Sequence, residues 1–355
     1  MINTDADALS RNLAQEREQL RRSATPLLNT QCQHHYSSHQ IIWQNEGVCL
    51  RAFIPERPRH KRPLVLCYAL VNRPWILDLA PGSSLIEALV TQGFSVYLID
   101  WGQPERCQRF RGLEHYVDQI MHACIQAAAS HADNPRVNLA GICQGGVFSL
   151  CYASIHPELV NRLVTLVTPV DFHAADFTLS QLYRGVDIQQ LVSAYGNIPG
   201  PLVTQVFSGL QPMRLGQLKH LTTAPRLVEK PDSVAQYMLM ERWLNDCPDL
   251  AGRALQQFVE LFFQHNRLLD GKFDSGNFKV DMSRLAAPVL NIYGKHDHLV
   301  PPNASRALEQ ICKRGHYQSL EIGAGHIGTL MGNKALKSVP AAIQDWLQET
   351  DQSEP

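Results

Sequence analysis

The segment that most restricts the fold of this 355-residue chain is residues 136–151, which read RVNLAGICQGGVFSLC. Residues 137–140 predict a short buried strand, and the residues from 147 onward predict a helix. The turn between them, GICQGG, matches the strand-turn-helix pattern of a nucleophile elbow, with Cys143 where a serine usually stands. Glycines allow such a sharp turn and let strand and helix approach closely. A glycine-rich turn with an inert buried cysteine is the alternative.

A helix that begins directly after Cys143 would also affect the chemistry of the thiol. Free N–H groups and the helix dipole stabilise negative charge at a helix N-terminus. The same groups face any oxyanion that forms at the thiol. The turn therefore predicts a catalytic cysteine, if acid and base partners exist elsewhere in the chain.

Composition limits the class of protein. The chain is 45% hydrophobic and 18% charged, enough for a large core, and its net charge of −1 gives no reason to expect nucleic acid as a partner. No apolar run is long enough to span a bilayer, so we expect no transmembrane segment and a cytoplasmic protein. Nine cysteines without a repeated C-x-x-C pattern favour reduced thiols. Cys32, His34 and His35 have no matching second pair, so we expect no metal site and no resident cofactor.

Apolar strand patterns alternate with helical patterns through the first half of the chain. The predicted strands are 64–71, 94–101, 137–140 and 163–170, and the predicted helices are 83–91 and 113–131. This alternation predicts an α/β fold with a mostly parallel central sheet and helices on both faces, and ligands at the carboxyl ends of the strands. Residues 39–43 and 48–54 predict a hairpin at the edge of that sheet.

The alternation stops at residue 172. Residues 172–283 carry aromatic-rich helical patterns at 182–191, 234–243 and 251–263, without a buried-strand run. Strand patterns return at 289–293 and 317–322, and a helix is predicted at 339–349. We therefore predict a core formed by residues 39–171 and 284–355, an inserted helical cap or lid at 172–283, and an N-terminal helical segment at 1–38.

Two segments have two interpretations each. Residues 5–22 predict a polar helix with Leu9, Leu13 and Leu20 on one stripe, either a solvated helix resting on the core or a docking surface for another chain. Residues 57–62, RPRHKR, are either a solvated basic loop or a contact for the phosphates of a nucleotide-bearing substrate.

Two further residues stand where a nucleophile-elbow fold needs them. Asp297 follows the predicted strand 289–293, and His326 lies between glycines after the predicted strand 317–322. The chain order of nucleophile, acid and histidine is that of the α/β-hydrolase fold, and it predicts a Cys143–His326–Asp297 triad. A thiolate is a strong nucleophile and a good leaving group, so it suits reversible exchange with a thioester. This chemistry favours an acyltransferase that uses acyl-coenzyme A (acyl-CoA) over a protease or an ordinary lipase.

Motifs along the chain resemble the catalytic subunit of class III polyhydroxyalkanoate synthases, members of the α/β-hydrolase superfamily. They are GICQGG (141–146), YALVNRP (68–74), VYLIDWG (96–102), TPVDF (168–172), GNIPG (196–200), DHLVPP (297–302) and GHIG (325–328). The likeness runs from about residue 39 to the C-terminus. It implies polymerisation of (R)-3-hydroxyacyl-CoA, such as 3-hydroxybutyryl-CoA, with release of CoA. It also implies a second synthase subunit (PhaE-like), a homodimer or larger hetero-oligomer, and attachment to polyester granules. Class IV synthases are also short, but Gln144 and the Asn-Arg-Pro segment resemble class III more.

The resemblance and the residue chemistry predict one mechanism. His326 activates Cys143, and backbone N–H groups of Gln144 and of the loop near Val71 hold the oxyanion. Either His326 held by Asp297, or Asp297 more directly, activates the 3-hydroxyl during elongation. His298, beside the acid, is either an auxiliary residue or a structural one. The alternatives to a synthase are a cysteine-dependent thioesterase or hydrolase of the same fold and a non-catalytic granule-associated protein.

Overall fold

The computed structural model describes residues 36–210, 232–312 and 316–348, together with residues 15 and 34. In chain order its strands are β1 (Gln40–Asn45), β2 (Val48–Phe53), β3 (Leu64–Cys67), β4 (Asp78–Ala80), β5 (Ser83–Ser84), β6 (Val96–Asp100), β7 (Val137–Ile142), β8 (Val160–Leu166), β9 (Lys272–Ser275), β10 (Phe278–Asp281), β11 (Val289–Gly294) and β12 (Tyr317–Ile322).

Helices connect and cover these strands. The α-helices of the described residues are α1 (Leu85–Thr91), α2 (Met121–His131), α3 (Gln144–Ile155), α4 (Thr178–Arg184), α5 (Ile188–Tyr195), α6 (Gly200–Gly209), α7 (Asp232–Leu244), α8 (Gly252–Phe258), α9 (Arg267–Asp270), α10 (Pro302–Arg306), α11 (Leu308–Ile311), α12 (His326–Met331) and α13 (Ala335–Gln348). Short 3-10 helices lie at Pro74–Leu77, Arg106–Phe110 and Met282–Arg284, and π-helical turns at His115–Ile120 and Val259–Gln264.

One sheet organises the described part of the chain. Its eight strands run in the order β1-β2-β6-β3-β7-β8-β11-β12. From β6 to β12 all neighbours are parallel, whereas β2 pairs antiparallel with both β1 and β6. The predicted α/β fold with a mostly parallel sheet is therefore confirmed, and the predicted hairpin forms its edge.

Both faces of the sheet are covered by apolar side chains. On β3, Val65 and Cys67 face one core cluster and Leu64 and Leu66 face the other, as the two-residue period of a strand requires. Helix α3 packs into the first cluster and α13 into the second. Strands buried on both sides explain why their sequences are continuous apolar runs rather than alternating ones.

The structure corrects several details of the predicted elements. Strand β8 spans Val160–Leu166 rather than 163–170. Strand β3 ends at Cys67, four residues before the predicted end at 71, because residues 68–71 leave the sheet as a loop. The helix predicted at 182–191 is two helices, α4 and α5, separated by a break in which Asp187 caps α5 through the Gln190 N–H. Strands β9 and β10 form a hairpin inside a segment predicted to lack strands.

The inserted segment leaves the sheet after β8 and returns at β11. Its described residues carry helices α4 to α9 and the β9–β10 hairpin. The division into a core at 39–171 and 284–355 and a cap at 172–283 remains a prediction. The predicted helix at 5–22 lies outside the described residues, apart from residue 15.

Candidate active site

Cys143 lies at the junction of β7 and α3, with backbone angles φ 55° and ψ −122°. Residues with a side chain rarely adopt a positive φ, and the surrounding structure must hold such strain in place. The Cys143 N–H donates to the Leu166 carbonyl at 2.8 Å, and the Gly146 N–H donates to the Cys143 carbonyl at 3.0 Å. The sharp strand-to-helix turn expected from the sequence is therefore present, and its thiol is half-buried.

Gly145 and Gly146 allow α3 to approach the neighbouring strand ends. A Cβ atom at Gly145 would lie 2.1 Å from the Cys67 carbonyl oxygen. A Cβ atom at Gly146 would lie 1.8 Å from Thr168 Oγ1. Neither distance is compatible with a side chain, so both positions need glycine for the close packing that the sequence predicts.

Replacing Gly145 by Ala is expected to destabilise the protein by about 3 kcal/mol, the upper range for overpacking, because the blocking atom belongs to backbone and cannot rotate away. Denaturant unfolding would measure this change. Gly185 is the matched control, since no atom lies within 4 Å of its Cβ position and its φ is −93°. Gly185→Ala is expected to leave stability unchanged or to raise it by up to about 1 kcal/mol. Equal effects at the two sites would contradict the packing argument.

Asp297 and His326 lie on the loops that follow β11 and β12. His326 Nδ1 is 2.7 Å from Asp297 Oδ2. Asp297 Oδ1 accepts hydrogen bonds from the Leu299 and Val300 N–H groups, each at 2.9 Å. The side chain of Asp297 is 0% exposed and that of His326 is 8% exposed. The buried carboxylate is thus fixed by two backbone donors and in turn fixes the orientation of the imidazole.

His326 lies between Asp297 and Cys143 and forms a hydrogen bond with each side chain. Because Nδ1 of His326 faces Asp297, Nε2 is the nitrogen left for the Cys143 side chain, with which His326 forms a hydrogen bond. Burial by itself would lower the pKa of His326, but the charges of Asp297 and Cys143, with the hydrogen bonds to both, raise that pKa to about 10. The imidazolium is therefore favoured at neutral pH, and an imidazolium stabilises an adjacent thiolate.

The two predicted oxyanion donors lie on neighbouring parts of the fold. Gln144 is the first residue of α3, so its N–H has no acceptor within the helix. The Gln144 side chain also accepts a hydrogen bond through Oε1 from the Leu70 N–H at 2.9 Å. This bond joins the loop that carries Val71 to the elbow that carries Cys143. The sequence did not predict this bond, although the glutamine of the GICQGG turn was the available signal.

His298 lines a surface groove next to the acid. The groove has a volume of 460 Å³, and its other lining residues are Asp176, Thr178, Leu210, Lys295, His296, Asp297, Pro301 and Pro302. His298 is half-buried there. An auxiliary role for His298, like the catalytic roles of Cys143, Asp297 and His326 and the oxyanion roles of Gln144 and Val71, remains a prediction.

The core cysteines differ from Cys143 in their surroundings. Cys67, Cys124 and Cys151 are buried. Burial raises the pKa of Cys67 to about 12, and it raises the pKa values of Cys124 and Cys151 well above the ordinary range. Thiols that stay protonated are poor nucleophiles. Cys107, in contrast, is exposed on the 3-10 helix Arg106–Phe110 and makes a useful control for thiol chemistry.

The basic segment 57–62 lies at the amino ends of the parallel strands, whereas Cys143 lies at their carboxyl ends. It precedes β3, which is parallel to β7, and the elbow follows the carboxyl end of β7. The Arg59 N–H donates to the carbonyl of Gly93. Gly93 lies just before β6, which is parallel to β3, so this contact is also at the amino ends of the strands. The solvated-loop interpretation therefore fits, and contact with the phosphates of a substrate held at Cys143 does not.

The described residues contain neither a cluster of metal ligands nor a membrane-spanning helix. No group of three or more His, Cys, Asp or Glu side chains among them is arranged to hold a metal ion. Cys32 and His35 lie outside that part of the chain, and the His34 ring stacks on Trp75 at 4.6 Å. No helix within the same ranges is both long and apolar enough to cross a membrane.

Comparison with known proteins supports the class that this geometry defines. The family model described as the alpha/beta hydrolase fold matches residues 62–330. A monoacylglycerol lipase from Paleococcus ferrophilus has a similar structure, with a TM-score of 0.54. The match covers 84% of this chain and 98% of that chain. Because the two sequences are only 20% identical, this likeness concerns the fold alone. The protein is an α/β hydrolase in fold.

Similarity to curated sequences gives the family within that class. The chain is 38% identical over 354 residues to the poly(3-hydroxyalkanoate) polymerase subunit PhaC of Allochromatium vinosum, covering 98% of this chain and 99% of the relative. It is 42% identical over 289 residues to the PhaC subunit of Thiocystis violacea, covering 81% of each chain. The chain belongs to the polyhydroxyalkanoate synthase family.

Proposed function

We propose that this chain is the catalytic subunit of a class III polyhydroxyalkanoate synthase. It polymerises (R)-3-hydroxyacyl-CoA, with short acyl chains such as 3-hydroxybutyryl-CoA as substrates, and releases CoA. The observation that carries the proposal is the hydrogen-bonded row of Cys143, His326 and Asp297 in a chain whose relatives are named as polymerase subunits. A cysteine nucleophile suits this reaction because the enzyme-bound acyl group stays activated as a thioester.

In the acylation step, the Cys143 thiolate attacks the thioester carbonyl of the substrate. The N–H groups of Gln144 and Val71 hold the resulting oxyanion. Collapse of this intermediate breaks the bond between the acyl carbon and the CoA sulfur, and the His326 imidazolium gives its proton to the departing CoA thiolate. The products are free CoA, a Cys143 thioester and a neutral imidazole, so the proton count balances.

In the elongation step, neutral His326 removes the proton of a 3-hydroxyl group, whose oxygen attacks the Cys143 thioester. An ester bond forms, Cys143 leaves as a thiolate, and His326 is again an imidazolium. Asp297 accepts hydrogen bonds from two backbone N–H groups and also contacts His326, which favours His326 as the base and Asp297 as its orienting partner. Direct activation of the hydroxyl by Asp297 is the alternative.

The proposed chemistry also bears on cofactors, partners and location. Each step is an acyl exchange with one proton transfer, so we propose that no metal or resident cofactor takes part and that CoA enters only as the substrate's carrier. We propose that the subunit works in the cytoplasm at the surface of the polyester granule. We also propose that it works with a second subunit of the PhaE type and that it forms a homodimer or a larger hetero-oligomer.

Incubation of the purified chain with (R)-3-hydroxybutyryl-CoA is expected to release CoA and to form an insoluble polyester, with a higher rate when the second subunit is added. Thiol release would be followed spectrophotometrically, and polymer would be identified after hydrolysis to its monomers. Free 3-hydroxybutyrate without polymer would instead support a thioesterase. Absence of both CoA release and an acyl-enzyme, with the second subunit present, would support the non-catalytic alternative.

A further inference from the structure

The loop that carries Val71 is held by the end of a helix in the inserted segment. The side-chain amide of Asn72 donates to the Trp243 carbonyl at 2.9 Å and also contacts the Leu244 carbonyl. In return, the Trp243 indole N–H donates to the Arg73 carbonyl at 2.7 Å. The two bonds run in opposite directions between the residues that follow Val71 and the last turn of α7.

Asp246, just beyond α7, adds a second connection to the same loop. Its Oδ2 accepts a hydrogen bond from the Trp75 indole N–H at 3.0 Å, and its Oδ1 is 3.5 Å from Arg73 Nε. Trp243 is 3% exposed and packs in the same apolar cluster as Trp75. The contact between loop and helix end therefore combines burial with directional bonds.

The backbone of Asn72 shows why this contact controls the loop. Its φ is 61°, in the left-handed region, where asparagine is among the better tolerated side-chain-bearing residues. A loop that needs a left-handed residue directly after Val71 depends on contacts that hold that conformation. The Asn72 side chain provides them, since both of its contacts are to carbonyl groups at the end of α7.

The opposite side of Val71 is held by the sheet and the elbow. The Leu70 N–H donates to the Gln144 side chain at 2.9 Å, and the Tyr68 carbonyl accepts a hydrogen bond from the Trp101 indole at 2.9 Å. Val71 thus lies between an anchor on the elbow and an anchor on the inserted segment. Moving α7 would release only the second anchor.

We propose that Asn72 and Trp243 are positioning residues that hold the Val71 N–H for the oxyanion, so that oxyanion stabilisation depends on the position of α7. This inference deepens the proposed function and rests on it. A displaced α7 leaves Cys143 and His326 intact but weakens the oxyanion site, so a thioester reacts fully only when the helix end is in place. The thiol itself would stay reactive in both arrangements.

The test compares two reactions of the same thiol. Thioester acylation forms an oxyanion, whereas alkylation of Cys143 by iodoacetamide does not. Asn72→Asp keeps the size of the side chain and its tolerance of a positive φ but removes the amide donor. Its single-turnover release of CoA from 3-hydroxybutyryl-CoA is expected to fall about 100-fold, as when one oxyanion donor is lost, while alkylation of Cys143 changes less than about 2-fold.

Trp243→Phe is the second variant, because it removes the indole donor and keeps an aromatic ring in the apolar cluster. It is expected to lower acylation about 10-fold, a tenfold change corresponding to the roughly 1.4 kcal/mol of one hydrogen bond, without a change in alkylation. Gln236→Ala is the matched control, since it removes another bond from α7 to the rest of the protein, the 2.7 Å bond to Ser83, away from the Val71 loop. Both of its rates are expected to match wild type.

The acylation and alkylation rates of the variants test the positioning role of Asn72 and Trp243, whereas CoA release by the wild-type protein tests the proposed function. Wild-type acylation in Asn72→Asp and Trp243→Phe, or an equal loss of acylation and alkylation in both, would overturn the positioning role. A loss in Gln236→Ala as large as in Asn72→Asp would overturn the specific role of the Asn72 and Trp243 bonds, because a contact of α7 away from the Val71 loop would then matter as much. Failure of the wild-type protein to release CoA and to form an acyl-enzyme, with the second subunit present, would instead refute the proposed function.

Discussion

Cys143→Ala is expected to lose CoA release from 3-hydroxybutyryl-CoA by at least about 10⁴-fold, the scale seen when a member of a catalytic triad is removed. The reason is that the half-buried Cys143 thiol is the one hydrogen-bonded to His326. Intact mass spectrometry after a single addition of substrate should find an acyl group on the wild-type chain and none on the variant. Cys143→Ser is expected to be severely impaired as well, because a hydroxyl ionises far less readily than a thiol.

The exposed thiol of Cys107 provides the control for this prediction. Cys107→Ser should acylate and turn over at the wild-type rate, and peptide mapping should find the acyl group at Cys143 in both proteins. An acyl group on another cysteine, together with retained activity in Cys143→Ala, would show that the elbow is not the site of covalent catalysis.

His326→Gln is expected to abolish acylation, whereas Asp297→Asn is expected to slow acylation by only about 10-fold and to reduce elongation by on the order of 100-fold or more. Both steps need a proton carrier, so loss of the imidazole affects both. Loss of the carboxylate leaves the imidazole but removes the charge that raises its pKa. A weaker base is a smaller handicap for a thiol, whose ordinary pKa is about 8.5, than for an alcohol, which is far less acidic.

Rapid-quench experiments would separate the two steps. The first burst of CoA reports acylation, and the growth of oligomers on the enzyme reports elongation. Circular dichroism should show that both variants keep the fold, and both are expected to unfold at lower denaturant than wild type because each breaks the buried contact between Asp297 and His326. Equal rates of acylation in His326→Gln and Asp297→Asn would refute this division of roles between base and orienting partner.

The sequence alone predicted the elbow, the acid and the histidine of the candidate site, because each depends on a local sequence pattern. The elbow was predictable because Gly145 and Gly146 are required by contacts within a single strand-turn-helix unit and its neighbours. Asp297 and His326 were predictable because each follows a predicted strand, the buried β11 and the more polar β12 respectively, and parallel strands bring their carboxyl ends together at one end of the sheet. The mostly parallel sheet was predictable from the alternation of strand and helical patterns, whereas the order of its strands is visible only in the structure.

The contacts between distant residues were not predictable in the same way. Asn72 and Trp243 are separated by 171 positions, and Leu70 and Gln144 by 74, so no periodic pattern connects them. An asparagine in a loop has many ordinary explanations, and its positive φ is visible only in the structure.

The β9–β10 hairpin was missed for a different reason. Its buried residues Phe273, Phe278 and Val280 alternate with exposed ones, whereas the strands predicted in the core have continuous apolar runs. Alternation marks strands with one solvated face, and four-residue strands show too few repeats of it to stand out from a loop. The inserted segment was therefore predicted as a helical cap without a buried-strand run.

The position of the basic loop at residues 57–62 has a practical consequence for work with immobilised enzyme. Its exposed Lys61 presents a primary amine at the amino ends of the parallel strands, while Cys143 lies at their carboxyl ends. A support coupled through this lysine would hold the protein at the amino ends of the parallel strands, opposite the ends at which Cys143 lies. Nascent polyester would then grow outward into solution rather than against the bead.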